Sequence, residues 1–260
     1  MEKELPLIKE NLINKIRPLG SGGYGTVYEA RYKNKLVALK SIIDDSESNK
    51  NSFLNKLKKL HILKHPTIIQ IYIICSTDYR SVELSFIMEL MDCSLSNVIH
   101  DHTDFNYDYK QILKWVEQIP YGLSFIHSQN FIYRDIKPGN LLLSNNYTIL
   151  KVADFGTTTT FNHSAKSFVG TLVYIAPEIV QGKHYDKKCD VYSFAITLWE
   201  ICLRNRALRP SLEILKKKNY SQDIIKIIEK CCDHNPKNRS IMKQILDYIS
   251  NLYFNIRLLD

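Results

Sequence analysis

The 260 residues suffice for one large domain or two small ones, and 45% hydrophobic with 24% charged residues excludes general disorder. Nine glycines and eight prolines are too few for a linker-rich or collagen-like chain. A net charge of +8 favours anionic partners, whether phosphates, acidic protein surfaces or nucleic acid. The six cysteines (Cys75, Cys93, Cys189, Cys202, Cys231 and Cys232) form no C-x-x-C pair. The start, Met1 to Pro6, lacks the apolar core of a signal peptide. The longest apolar stretch, Ile68 to Cys75 broken by Gln70, is too short to span a bilayer. A reducing, cytoplasmic setting follows, with the thiols as small core residues.

The elements then fall out in chain order. Gly20-Ser21-Gly22-Gly23-Tyr24-Gly25-Thr26-Val27 is a glycine-rich loop, and β-type sequence follows it, Val27 to Ala30. Leu36 to Ile42, Ile68 to Cys75 and Val82 to Met88 are further strands. Phe53, Leu57, Leu60 and Leu63 recur at helical spacing and predict one amphipathic helix among them. Beyond residue 105 helices dominate: Ile112 to Ile126, Val191 to Leu203, Ile224 to Cys231 and Ile241 to Leu252. Pro120 falls inside the first of these, where it is expected to remove a hydrogen bond and kink the helix. A β-rich part followed by a helical part predicts an α+β protein or two lobes, with the change near Leu90 to Ser94. The lysine runs at 56, 58, 59 and 216–218 sit at helical spacing among apolar residues. They are read as solvated helix faces, and no nucleic-acid motif accompanies them.

A glycine loop of this type also marks dinucleotide-binding folds, but those need a helix directly after it. Here a strand follows, which favours a strand–loop–strand flap whose bare backbone can approach phosphates; a plain glycine hairpin is the alternative. Downstream come Val37-Ala38-Leu39-Lys40, then Tyr133-Arg134-Asp135-Ile136-Lys137-Pro138-Gly139-Asn140, then Asp154-Phe155-Gly156, then Ala176-Pro177-Glu178. With these five motifs in this order the chain resembles the eukaryotic protein kinases over roughly Leu12 to Ile249. The resemblance implies a two-lobed kinase fold over residues 12–255, with a small β-rich lobe to about residue 90 and a larger helical lobe from 91.

It also implies roles. Lys40 binds the α/β-phosphates, and Asn140 and Asp154 offer the hard oxygens that Mg²⁺ prefers. Asp135 accepts the proton of the substrate hydroxyl, and Lys137 neutralises the moving phosphoryl group. Leu19, Gly20, Ser21, Gly22, Gly23, Tyr24 and Gly25 cover the nucleotide. Val27, Ala38 and Leu142 sandwich the adenine, Met88 guards its pocket, and Glu89 to Met91 form the hinge. Lys137, two residues after Asp135, and Gly170-Thr171 follow the serine/threonine pattern. The substrate is then a protein, possibly another kinase, and an upstream kinase or adaptor could act on the segment carrying Ser164 and Ser167. The stretches from Arg134 to Leu143, Asp154 to Thr157 and Lys188 to Phe194 are most similar to the tyrosine-kinase-like group. Within it the likeness is to the transforming-growth-factor-β-activated (MAP kinase kinase kinase) subfamily.

The chain departs from the family pattern in places. Lys56 stands where a glutamate should pair with Lys40, Ala195 replaces a usual glycine, and Arg209-Pro210 follows Trp199-Glu200 early. Glu178 should pair with Arg239. Lys56 leaves an alternative open, an ATP-binding scaffold or pseudokinase with weak activity or none.

Overall fold

A computed structural model describes residues 7–22, 25–43, 64–76, 83–102, 104–160, 172–205 and 212–257. Tertiary contacts divide the chain into two units, Met1–Met91 and Asp92–Asp260. The first is a sheet of six strands: β1 (Leu7–Lys9), β2 (Asn14–Gly22), β3 (Gly25–Tyr32), β4 (Lys35–Ile43), β5 (Ile71–Ser76) and β6 (Glu83–Met88). Their spatial order is β1-β5-β6-β4-β3-β2. All neighbours are antiparallel except β1, which runs parallel to β5.

Alternation along β4 divides its residues between the two faces of this sheet. Val37 and Leu39 join Ile13, Ala30 and Ile87 in a buried apolar cluster on one face. Ala38 and Lys40 therefore take the opposite face. Directly paired residues share a face, so Val27 and Phe86 lie there opposite Lys40, and Met88 opposite Ala38. The strand expected from Ile68 starts three residues later, at Ile71. His65 explains the delay. Its carbonyl accepts the Ile68 N–H and its ring nitrogen the Thr67 N–H, closing a turn before extension begins. The helix expected over Phe53 to Leu63 lies outside the described residues.

The second unit opens with β7 (Cys93–Ser94) and α1 (Leu95–His100), which Ser94 caps in a reciprocal box with Asn97. Then follow α2 (Tyr109–Ser128), β8 (Phe131–Ile132), β9 (Leu141–Ser144), β10 (Ile149–Val152) and β11 (Thr159–Thr160). The helices α3 (Pro177–Val180), α4 (Lys188–Leu203), α5 (Leu212–Lys217), α6 (Gln222–Cys231) and α7 (Met242–Arg257) complete it. The helix α2 continues through Pro120. Pro120 sits among the buried residues of that helix, so packing of its ring outweighs the lost N–H. The axis of this unit is α4, buried on every side from Cys189 to Cys202 apart from Tyr192. Ala195 is fully enclosed there, and in a helix interior alanine is favoured over glycine by about 1 kcal/mol.

Candidate active site

In the first unit the sequence-predicted residues gather on the β3–β4–β6 face opposite the apolar cluster. Lys40 and Ala38 are buried on β4, Met88 is buried at the end of β6, and Val27 is half-buried on β3. The hairpin of β2 and β3 brings Gly20 opposite Val27, Ser21 opposite Thr26 and Gly22 opposite Gly25, and the Ser21 and Thr26 hydroxyls meet at 3.1 Å. Leu19 lies on β2 and is exposed.

The two outer glycines of this loop serve different ends. At Gly25, φ is +121°, and a Cβ would stand 1.9 Å from the Ser41 carbonyl oxygen. The β4 backbone itself thus demands that glycine. At Gly20 a Cβ would meet no atom of the described residues within 4 Å. Packing does not require that glycine; the open space suits a group as bulky as a phosphate.

At the end of β6, Glu89 and Met91 are half-buried. The Glu89 N–H donates to the Gln70 carbonyl at 3.0 Å. The Glu89 carboxylate also touches the electrostatics of Tyr72, whose phenol is raised first by burial and then by that charge.

In the second unit a short loop gathers three predicted residues. Lys137 Nζ donates to Asp135 Oδ2 at 2.9 Å, and Asn140 Nδ2 donates to the same oxygen at 2.7 Å and to the Asp135 carbonyl at 2.8 Å. Asp135 and Asn140 are buried, while a quarter of the Lys137 side chain is exposed. Two donors on one carboxylate oxygen fix the position of the Asp135 side chain. Because the Asn140 amide nitrogen faces Asp135, its oxygen faces away. The Ala153 N–H donates to the Asn140 carbonyl at 2.9 Å, which brings Asp154 beside Asn140. Leu142 lies half-buried on β9, on the face opposite the fully buried Leu141 and Leu143.

Two residues here hold left-handed backbone conformations, Arg134 at φ +74° and Asp154 at φ +55°. Such strain costs on the order of 1–3 kcal/mol at each non-glycine residue and persists only where surrounding bonds enforce it. Asp190, the third residue of α4, supplies them. Its Oδ1 accepts the Arg134 N–H at 2.7 Å, and its Oδ2 accepts the Tyr133 N–H at 2.9 Å and lies 2.7 Å from His127 Nε2. Asp154 accepts the Gly156 N–H at 3.2 Å. Tyr133 is fully buried, packs edge-on against Phe155 at 5.7 Å and donates its hydroxyl to the Ala153 carbonyl. Burial first, then the carboxylates of Asp154, Asp135 and Asp190, push its phenol well above the usual value. Asp190 had no role in the motif reading, although a carboxylate opening an otherwise apolar helix was its available signal. Gly23, Tyr24, Lys56, Ser164, Ser167 and Thr171 lie outside the described residues.

The donor set decides which metal could be held. Among the described residues no three His, Cys, Asp or Glu side chains stand close enough to hold an ion. Asn140 and Asp154 offer hard oxygens from two side chains. That suits Mg²⁺, which is typically bound by one or two protein oxygens together with phosphates and water. It does not suit a tightly chelated structural ion.

Glu178 and Arg239 form a fork-to-fork pair, Nη1 to Oε1 at 2.7 Å and Nη2 to Oε2 at 2.8 Å, both side chains buried.

The first unit thus carries a glycine hairpin and a buried strand lysine, and the second a loop carboxylate flanked by lysine and asparagine, the residue types that phosphoryl transfer uses. Residues 13–249 match the protein kinase domain model, and the chain belongs to that family. It is similar to human mitogen-activated protein kinase kinase kinase 7, at 30% identity over 90% of this chain and 41% of the relative. Mitogen-activated protein kinase kinase kinase mom-4 of Caenorhabditis elegans is 32% identical over 81% of this chain and 40% of the relative. A putative mitogen-activated protein kinase kinase kinase 7-like protein of Drosophila melanogaster is 29% identical over 97% of this chain and 69% of the relative. The chain thus spans about two fifths of the mammalian relatives it matches. The tyrosine-kinase-like, MAP kinase kinase kinase likeness read from the motifs is the one these relatives carry.

Proposed function

We propose that this chain transfers the γ-phosphoryl group of ATP to serine and threonine hydroxyls of proteins within a signalling cascade. The observation that carries the reading is Asp135, buried and bonded by both Lys137 and Asn140, with Asp154 following close on Asn140 in the fold. In this reading Asp135 accepts the proton of the attacking hydroxyl, and Lys137 neutralises charge on the group in transit. Lys40 binds the α/β-phosphates, and the backbone of Gly20 to Gly25 covers them. Met88, Glu89 and Met91 hold the base, with Val27, Ala38 and Leu142 against its faces. Asn140 and Asp154 hold Mg²⁺, which when bound supplies charge neutralisation at the phosphate oxygens. The kinase domain occupies 12–255, with lobes at 12–90 and 91–255. Lys137 together with Thr171 supports serine and threonine as acceptors.

The relatives' names support another protein kinase as the substrate. The same names and the family match do not favour the scaffold alternative raised by Lys56. ATP as co-substrate and cysteines without C-x-x-C spacing support a cytoplasmic location. No described helix is long and apolar enough to cross a membrane.

The test is Asp135→Asn, which keeps the shape and removes the base. Phosphate incorporation from radiolabelled ATP should fall about 10²–10⁴-fold while ATP affinity barely changes. Equal labelling by the variant would remove Asp135 from this role.

A further inference from the structure

The apolar face of the first sheet carries one row of hydroxyls. Ser41 follows Val37 and Leu39 in the alternation of β4, and so lies on that face rather than beside Lys40. Thr26 on β3 and Ser85 on β6 pair directly with it, and Ser21 on β2 pairs with Thr26. Directly paired residues share a face, so the four side chains form a rung across β2, β3, β4 and β6. The Ser21 and Thr26 hydroxyls stand 3.1 Å apart, as do those of Ser41 and Ser85. The rung ends on a carboxylate. Glu10, in the short turn Glu10–Leu12 between β1 and β2, is buried. Its Oε2 accepts from the fully buried Ser85 hydroxyl at 2.9 Å, and its Oε1 meets Lys15 Nζ at 2.7 Å. A carboxylate inside a sheet packing layer is tolerated only where its partners stay in place, so Glu10 holds Ser85 and, through it, Ser41.

Ser41 stands next to Lys40 in sequence, and its carbonyl oxygen is the atom that a Cβ at Gly25 would approach to 1.9 Å. The residue that the hydroxyl chain holds is thus flanked by both. We propose that Glu10 is a positioning residue for the phosphate end of the nucleotide: acting through Ser85 and Ser41, it fixes the stretch of β4 that carries Lys40 and supports Gly25. The proposal rests on the kinase reading above, in which Lys40 and the glycine hairpin meet the phosphates. Glu10 precedes residues 13–249, so the family pattern gives it no part. Small displacements of groups that grip a ligand are costly, and a ligand without phosphates should not sense this one.

Calorimetric titration of the 260-residue chain with Mg²⁺–ATP and with adenosine tests this. Glu10→Ala should weaken ATP binding roughly three- to tenfold, the range of one net hydrogen bond, and leave adenosine binding unchanged. Glu10→Gln, whose amide oxygen can still accept from Ser85, should recover most of the loss. Ser41→Ala cuts the chain while Glu10 keeps Lys15 and Ser85, and should weaken ATP binding by a similar factor. The two alanine changes together should do no more than the more damaging one alone, because both break the same chain. If Glu10→Ala melts below the assay temperature, Ser41→Ala decides alone, since it leaves both Glu10 oxygens with partners. Unchanged ATP binding in Ser41→Ala overturns the proposal and leaves the kinase reading standing. So does equal weakening for ATP and adenosine, which marks a merely structural role, or losses that multiply in the double variant. A wild type that binds neither ligand overturns the kinase reading and this proposal with it.

Discussion

Replacing Arg239 by methionine removes the only side chain among the described residues that donates to the Glu178 carboxylate. Methionine fills much of the arginine's volume, so the cavity contribution is small and the electrostatic one dominates. The carboxylate is left buried with neither oxygen satisfied, which costs about 3–5 kcal/mol. Arg239 also donates to the backbone carbonyls of Asp233 at 2.7 Å and Lys188 at 3.0 Å, and these lose their donors as well. For a chain of this size about 2–4 °C of melting temperature accompanies each kcal/mol, so a fall of roughly 6–20 °C is expected. Glu178→Gln should cost distinctly less. There the guanidinium keeps its carbonyl partners and an amide oxygen still accepts from it. Replacing both residues by leucine should recover much of the loss, because the penalty belongs to the unpaired charge and not to the absence of the pair. Differential scanning fluorimetry on the four proteins, with wild type as reference, reads all of this. If Glu178→Gln proves as damaging as Arg239→Met, or Arg239→Met shifts melting by less than about 2 °C, the assignment of cost to a stranded carboxylate is wrong.

Gly25→Ala should destabilise the first unit by at least about 1–3 kcal/mol, since it combines a forbidden φ with a collision at the Ser41 carbonyl. Gly20→Ala should leave stability nearly unchanged while weakening ATP binding, and urea unfolding beside ATP titration separates the two. Lys56→Glu should raise phosphate transfer: two ammonium groups at ~4 Å repel by ~4 kcal/mol at an effective dielectric near 20, whereas a carboxylate would hold Lys40 in place. Robust wild-type turnover with no gain in that variant would show that Lys40 is held by other means.

Local pattern carried most of the elements. Alternation around Leu36 to Ile42 and helical spacing at Ile112 to Ile126 reappear as β4 and α2, because both segments must bury one apolar face whatever their neighbours are. Linear motifs carried the gathering of Asp135, Lys137 and Asn140, since a six-residue loop cannot scatter them far. Distant contacts were legible where the family pattern carries them, as in the Glu178–Arg239 pair, but not otherwise. The demand on Gly25 comes from Ser41, sixteen residues away, a contact that neither phosphate approach nor a plain glycine hairpin specifies. Asp190 is more remote still, 55 residues beyond Asp135 in sequence, and only the path of α4 brings it under Tyr133 and Arg134.

The anchorage of the Tyr133–Arg134 backbone on Asp190 bears on how this loop exchanges with solvent. Segments that carry chemistry usually open by small local fluctuations, and their amide hydrogens are replaced quickly. Here the amides of both residues end on one fully buried carboxylate at the head of the most enclosed helix of the second unit. Breaking either bond strands a carboxylate that the packing of α4 encloses, so such opening is costly. Slow isotope exchange at these two amides is the expected outcome, in contrast to an ordinary surface loop.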